Sequence, residues 1–286
     1  MKIIFDLNNL AVRHWCLPVI EAETENPNIQ LWKYNIIDSI YGSMKKYNNV
    51  TDVILAVDSP HTWRKIYWPR YKESRKAKRD KSKIDWNVFH RELDNLLLEI
   101  KECLPFKVIK VENAEGDDVV AVLAMCGDDV VIVSNDEDYL QLSSEKVKIF
   151  NPSKNDYVKC DDIERFLQMK SLIGQPKDDI FNIKTPIDYP VGVRKPGFGE
   201  VSAKKVLAEG LETWLKREKL EERYTFNRNL IDFKRIPKTI KIRIINEYKR
   251  YKLADPSKIY SFFDKNQFRS YIDNFTCVEE NLMKLY

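Results

Sequence analysis

The sequence predicts an α/β fold: a mostly parallel central sheet flanked by helices, followed by a helical C-terminal region. Three observations carry this expectation. Short β-branched runs recur in the first half, each followed by turn residues and then by a stretch with helical periodicity. Two of these runs, Ile54-Leu55-Ala56-Val57 and Val130-Val131-Ile132-Val133, are apolar throughout, as parallel strands covered by helices on both faces require. Beyond about Phe181 the strand signal stops, and Pro186, Pro190 and Pro196 mark a change to helix and turn.

Taken in order, the strands are expected at Lys2 to Asp6, Asp52 to Asp58, Lys107 to Glu112, Val130 to Ser134 and Val147 to Phe150. Helices are expected at Trp32 to Tyr47, Trp86 to Cys103 and Gly116 to Met125. The change of pattern divides the chain into an α/β domain over 1–183, with a basic segment around 61–85, and a helical domain over 184–286.

With 43% hydrophobic and 12% aromatic residues in 286, the chain can build a sizeable core, which excludes wholesale disorder. No run approaches the roughly 18 to 20 apolar residues of a membrane span. The start, Met1 to Asp6, lacks the apolar stretch of a signal peptide, so a cytoplasmic protein is expected. Five separated cysteines without a CxxC pair argue against a disulfide framework and a thiolate zinc site. His14, His61 and His90 are too scattered for a zinc or Ser-His-Asp site, and no GxxxxGK[ST] loop supports ATP hydrolysis.

The net charge of +4 hides strong local asymmetry. From His61 to Lys83 there are ten basic residues against two acidic ones, and from Lys216 to Lys252 thirteen against five, so each segment carries +8. Two basic surfaces point to a polyanion, nucleic acid being the commonest. The first also carries Trp63, Tyr67, Trp68 and Tyr71, which combine stacking faces with phosphate-binding charge.

Acidic residues gather where the strands end. Asp6 and Asp58 close the first two strands, Glu115, Asp117 and Asp118 open a helix, and Asp136 and Asp138 follow the strand at 130–134. In parallel sheets the carboxyl edge is where ligand crevices form, so these acids should converge. Singly, each reads as a helix cap or an Asx turn. Together they repel: two carboxylates about 4 Å apart cost roughly 4 kcal/mol at an effective dielectric near 20. Hard oxygen donors without His or Cys select Mg²⁺, or Mn²⁺, and a pair of such ions roughly 4 Å apart suits attack of water on a phosphodiester.

These pieces resemble the 5′-nuclease family: flap endonucleases, the 5′-nuclease domains of bacterial DNA polymerases, and phage RNase H and 5′-exonucleases, with phage RNase H the nearest in pattern. The matching residues are Ile4-Phe5-Asp6, Val57-Asp58, Arg64 with Tyr71-Lys72-Glu73-Ser74-Arg75, Glu115-Gly116-Asp117-Asp118 and Ser134-Asn135-Asp136-Glu137-Asp138. The stretch Gly197 to Leu207 looks like the family's helix-turn-helix variant. Asn229 to Phe233 and Ile259 to Phe263 match phage members more loosely.

The resemblance implies that Asp6, Asp58, Glu115, Asp117 and Asp136 surround a first Mg²⁺, with Asp138 and Asp178 toward a second and Asp118 as a further ligand. Arg64, Lys72 and Arg75 would meet phosphate, and Tyr71 would stack on the terminal base, from a helical arch over the site. Gly192-Val193 and Gly197-Phe198-Gly199 would bring backbone N–H groups to a phosphate at a helix N-terminus. Gly197, Gly199, Ser202, Lys204 and Lys205 would grip duplex DNA, and the family's K⁺ at this element is carried over with them. The implied activity is removal of RNA primers and flaps from branched or nicked DNA, and of RNA from RNA–DNA hybrids, during replication, by a monomer in the cytoplasm, that of the host if phage-encoded. Phage relatives work beside a single-stranded-DNA-binding protein and a sliding clamp, but no docking peptide for either is visible. Two departures stand out. Gln175 occupies a position where the family writes a carboxylate, in Gly174-Gln175-Pro176-Lys177-Asp178-Asp179, which leaves open whether Gln175 or Asp179 takes that role. Gly116 replaces a common Ala. Two other readings remain, a catalytically weak branched-DNA-binding protein and a PIN-type ribonuclease.

Overall fold

The computed structural model describes residues 1–22, 26–190 and 196–286, with the side chains of 17–22 and of Lys78 outside the description. Gly192 and Val193 therefore lie outside the described residues. The strands are β1 (Lys2–Asp6), β2 (Asp52–Val57), β3 (Phe106–Lys110), β4 (Val130–Val133), β5 (Val147–Asn151) and β6 (Asp156–Val158). The helices begin with α1 (Leu7–Ala22), α2 (Ile29–Met44), α3 (Trp63–Tyr67), α4 (Ser74–Asp80), α5 (Trp86–Cys103), α6 (Gly116–Ala124) and α7 (Ile163–Ile173). They continue with α8 (Glu200–Glu209), α9 (Leu211–Glu218), α10 (Glu221–Ile231), α11 (Lys238–Arg250), α12 (Ile259–Lys265), α13 (Arg269–Ile272) and α14 (Phe275–Met283).

One sheet runs in the order β3-β2-β1-β4-β5-β6, parallel except for the antiparallel edge strand β6. The register sets Asp6 beside Ala56 and Phe5 beside Val133, so the ends of β1, β2 and β4 lie along one edge. The expected mostly parallel sheet is present. Short β6 and the helix α1 are additions to the expected elements, because neither carries a long periodic pattern.

The chain gathers into two compact units, one of Met1–His61, Ser82–Lys159 and Thr239–Tyr286, the other of Thr62–Lys81 and Cys160–Lys238. This grouping differs from a single cut after residue 183. In the first unit, Phe262, Phe263, Phe268, Tyr271 and Leu282 share one hydrophobic core with the sheet residues Phe5, Leu55 and Val131. Burying those rings is why the C-terminal helices stay with the sheet. Trp15, Trp32 and Phe89 meet edge to face in the same core, with centroids 5.1 Å and 5.2 Å from Trp15.

The second unit has its own apolar clusters. Trp68 and Tyr71 pack with Leu167, Phe181, Leu230 and Ile231, which ties the basic segment to α7 and α10. Ala203, Val206, Trp214 and Leu215 form another cluster with Leu172 and Ile183, joining α8 and α9 to α7. Among the described residues no helix is long and apolar enough to cross a membrane.

Candidate active site

In the first unit, Asp58 and Asp136 lie close enough to act electrostatically on Asp6, and Asp117 meets the same buried tyrosine as Asp6. Asp6 is buried at the end of β1, where its carboxylate accepts from the Asn9 backbone N–H at 3.0 Å. Asp58 follows β2 and accepts from the Gly116 N–H at 2.7 Å, while its own N–H donates to Asn8 Oδ1 at 2.8 Å. Asp136 precedes the 3-10 turn Glu137–Leu142, which it caps by accepting from the Asp138 N–H at 2.8 Å. Tyr139, fully buried, points its hydroxyl to Asp6 at 3.1 Å and to Asp117 at 2.5 Å.

The electrostatics record the crowding. Burial first, and then the charge of Asp58, lift the Asp6 carboxyl from its ordinary 3.8 to about 7, with Asp136 adding to the rise. Burial also raises the Tyr139 phenol well above its usual range, reinforced by Asp117, Asp6 and Asp136. The cluster thus places one phenolic hydroxyl between two carboxylates. Its donors are hard oxygens, which fit Mg²⁺ or Mn²⁺. Among the described residues, no group of three or more His, Cys, Asp or Glu side chains already has the arrangement of a metal site. Several of the carboxylate oxygens are held by backbone N–H groups and by Tyr139.

In the second unit, Arg75 Nη2 lies 2.5 Å from Asp178 Oδ1, and its Nε donates to the Lys177 carbonyl at 3.3 Å. Lys72 has a left-handed backbone, φ 55°, and its ammonium sits 4.9 Å from the centre of the Tyr71 ring. Gly199 caps α8, and a Cβ at Gly197 or Gly199 would meet nothing within 4 Å. That open backbone leads into a helix N-terminus on which Ser202 is half-buried and Lys204 and Lys205 are exposed. Lys204 pairs with Glu200 at 2.6 Å.

Two family models cover almost the whole chain: the 5′-3′ exonuclease N-terminal resolvase-like domain over residues 2–168, and the T4 RNase H C-terminal domain over 162–277. The chain belongs to the 5′-3′ exonuclease family. Ribonuclease H of Enterobacteria phage T4 is 30% identical over 260 residues, covering 85% of each protein. The 5′-3′ exonuclease of Buchnera aphidicola subsp. Schizaphis graminum is 26% identical over 172 residues, 56% of each. Among solved structures, the phage T5 D15 protein co-crystallised with metal ions superposes with a TM-score of 0.62 at 18% identity. That match covers 93% of this chain and 98% of the other, and it is a likeness of fold.

Within this exonuclease-family chain three residues expected at the site, Asp118, Arg64 and Tyr71, are buried. Asp118 is completely buried and reaches back as the third residue of α6 to accept from the Glu115 N–H at 3.0 Å, so it fixes the helix start that carries Glu115 and Asp117. Arg64 is 3% exposed, donates Nε to the Leu230 carbonyl at 3.0 Å and lies over the Trp63 ring, which makes it an internal strut of the second unit. Tyr71 is 3% exposed within the apolar cluster of the second unit. Of the four aromatics in the basic segment, only Tyr67 is exposed, and it stacks on Phe226 at 5.3 Å. A Cβ at Gly116 would come within 3.2 Å of Asp58 Oδ1. Sequence reasoning missed Tyr139 and Asn8. The signal for Tyr139 was its place directly after Asp138, and for Asn8 its place two residues past Asp6.

Proposed function

We infer that this exonuclease-family chain is a divalent-metal-dependent 5′-nuclease that hydrolyses phosphodiesters of RNA primers and flap strands on branched or nicked DNA. One observation carries the reading: Asp6, Asp58, Asp117 and Asp136, from four separate segments, act electrostatically on one another or on one buried tyrosine at the sheet's carboxyl edge. Asp6, Asp58, Glu115, Asp117 and Asp136 are the residues proposed to hold a first Mg²⁺, with Asp138 for a second. When bound, such ions supply Lewis-acid stabilisation of charge on the reacting phosphate and acidify the attacking water. The chain's own contribution is placement: backbone N–H groups hold Asp6, Asp58 and Asp136, and the Asp118 cap holds Glu115.

Lys72 and Arg75 are proposed as phosphate contacts, and the open start of α8 with Lys204 and Lys205 as the duplex grip. Asp178, whose carboxylate pairs with Arg75, is proposed as a ligand toward the second ion. A K⁺ at the α8 element, and a single-stranded-DNA-binding protein and sliding clamp as partners, complete the proposal. Mg²⁺-dependent cleavage of a 5′-labelled flap and of an RNA–DNA hybrid tests it. Tight binding of the flap without cleavage at any Mg²⁺ concentration would favour a junction-binding protein instead.

A further inference from the structure

The second unit contains a clasp that joins two segments about 100 residues apart in sequence. Helix α4 starts without a cap of its own: Glu73, the residue before it, has helical backbone angles, φ −63° and ψ −41°, and makes no capping hydrogen bond. The first helical N–H, that of Ser74, instead donates to Asp179 Oδ2 at 2.8 Å. The neighbouring contacts run between the same two segments. The Lys72 N–H donates to the Asp178 carbonyl at 3.0 Å, and Arg75 reaches both the Lys177 carbonyl and the Asp178 carboxylate.

The turn that offers these acceptors is rigidly built. Gln175 and Ile180 exchange backbone hydrogen bonds of 2.8 Å and 3.1 Å, closing the loop between them. Gly174 precedes it at φ 78°, where a Cβ would lie 2.3 Å from the Ile180 carbonyl oxygen. Asp179 stands at φ 60°, in the left-handed region that Asp, Asn and Gly tolerate best. The conformation that turns its carboxylate toward Ser74 is therefore set by the loop. A carboxylate at an otherwise uncapped helix start satisfies an orphan donor and interacts favourably with the helix dipole.

We propose that Asp179 is a positioning residue that fixes the first turn of α4, and through it the backbone of Lys72 and the guanidinium of Arg75. The proposal deepens the nuclease reading, on which only its activity arm rests. It also gives Asp179 a role at the family's Gln175 departure: its carboxylate serves the arch rather than standing in for the missing acid.

Two substitutions separate the possibilities. Asp179→Gly keeps the left-handed backbone without cost and deletes the acceptor, while Asp179→Asn keeps both an acceptor oxygen and the backbone preference. In the full-length protein without DNA, Asp179→Gly should speed amide hydrogen exchange over residues 72–80 about fivefold, the loss expected for one helix cap, and leave β1, β2 and β4 unchanged. Trypsin should cut at Lys76 and Arg79 correspondingly faster. In cleavage of a flap, kcat should fall with little change in KM, and Asp179→Asn should restore both exchange and kcat to within about twofold of wild type. Unchanged exchange and proteolysis in Asp179→Gly would overturn the proposal. So would an Asp179→Asn enzyme as impaired in cleavage as Asp179→Gly, because that would show a direct need for the charge. If the wild-type chain cleaves neither flap nor hybrid, the nuclease reading fails, while the exchange and proteolysis arms still decide the clasp.

Discussion

The buried Asp6 carboxyl makes metal binding measurable as stability, without any substrate. In the folded chain its pKa rises from 3.8 to about 7, through burial first and the Asp58 charge second. The folded chain thus holds a proton there that the unfolded chain releases, and stability must fall as pH rises through this interval. The contribution is fully present below about 3.8 and lost by the time the pH passes about 7. The interval corresponds to at most about 4 kcal/mol. A divalent cation at the cluster favours the charged form and should cancel most of this loss. Thermal unfolding with EDTA and with saturating Mg²⁺ should therefore show a larger Mg²⁺-induced rise in Tm at pH 8 than at pH 5.5, by roughly 5 °C. Asp6→Asn should flatten the pH dependence in EDTA and shrink the Mg²⁺ effect. A Mg²⁺ effect equal at both pH values, or one unchanged in Asp6→Asn, would refute the reasoning that these acids form a cation site.

Four further outcomes can be checked directly. Asp136→Asn should preserve folding and DNA binding while lowering flap cleavage by on the order of a thousandfold, measured as single-turnover rates in saturating Mg²⁺. Replacing Lys72 and Arg75 together by Ala should lower kcat far more than affinity for plain duplex, and that residual affinity should weaken with added salt in filter-binding titrations. Gly174→Ala places a Cβ against the Ile180 carbonyl at a positive φ, so urea unfolding should register a loss of more than about 2 kcal/mol. Glu99 lies between α2 and α12, accepting from Lys33 at 3.0 Å and Asn266 at 3.3 Å and pairing with Lys265 at 3.1 Å. Burial opposes its charge, but hydrogen bonds from Lys33 and Lys265 outweigh it and hold the carboxyl below its usual 4.5. Its stabilisation is present above about pH 4.5 and lost as pH falls through the lowered value, so Glu99→Gln should cost about 1 to 2 kcal/mol at pH 7 and much less at pH 3 by chemical denaturation.

Local patterning by itself determined the sheet and most of its acids. Four-residue β-branched apolar runs such as Val130 to Val133 suit strands covered on both faces, and an Asp at the end of such a strand emerges at the carboxyl edge of a parallel sheet. Helix α5 was equally legible, because Phe89, Leu93, Leu96, Leu97 and Ile100 repeat at helical spacing. Only the tertiary structure decided which unit each segment joins and which polar groups are already occupied. Tyr71 and Arg64 look like free DNA-facing residues in a basic run, but their surroundings come from Leu167, Phe181 and Leu230, all about a hundred residues or more away. Asp117 and Asp118 are adjacent and chemically alike. Helical geometry sends the second back to its own helix start and leaves the first to meet Tyr139. Burial and hydrogen-bond partnership are properties of contacts between distant parts of the chain, and local periodicity carries no information about them.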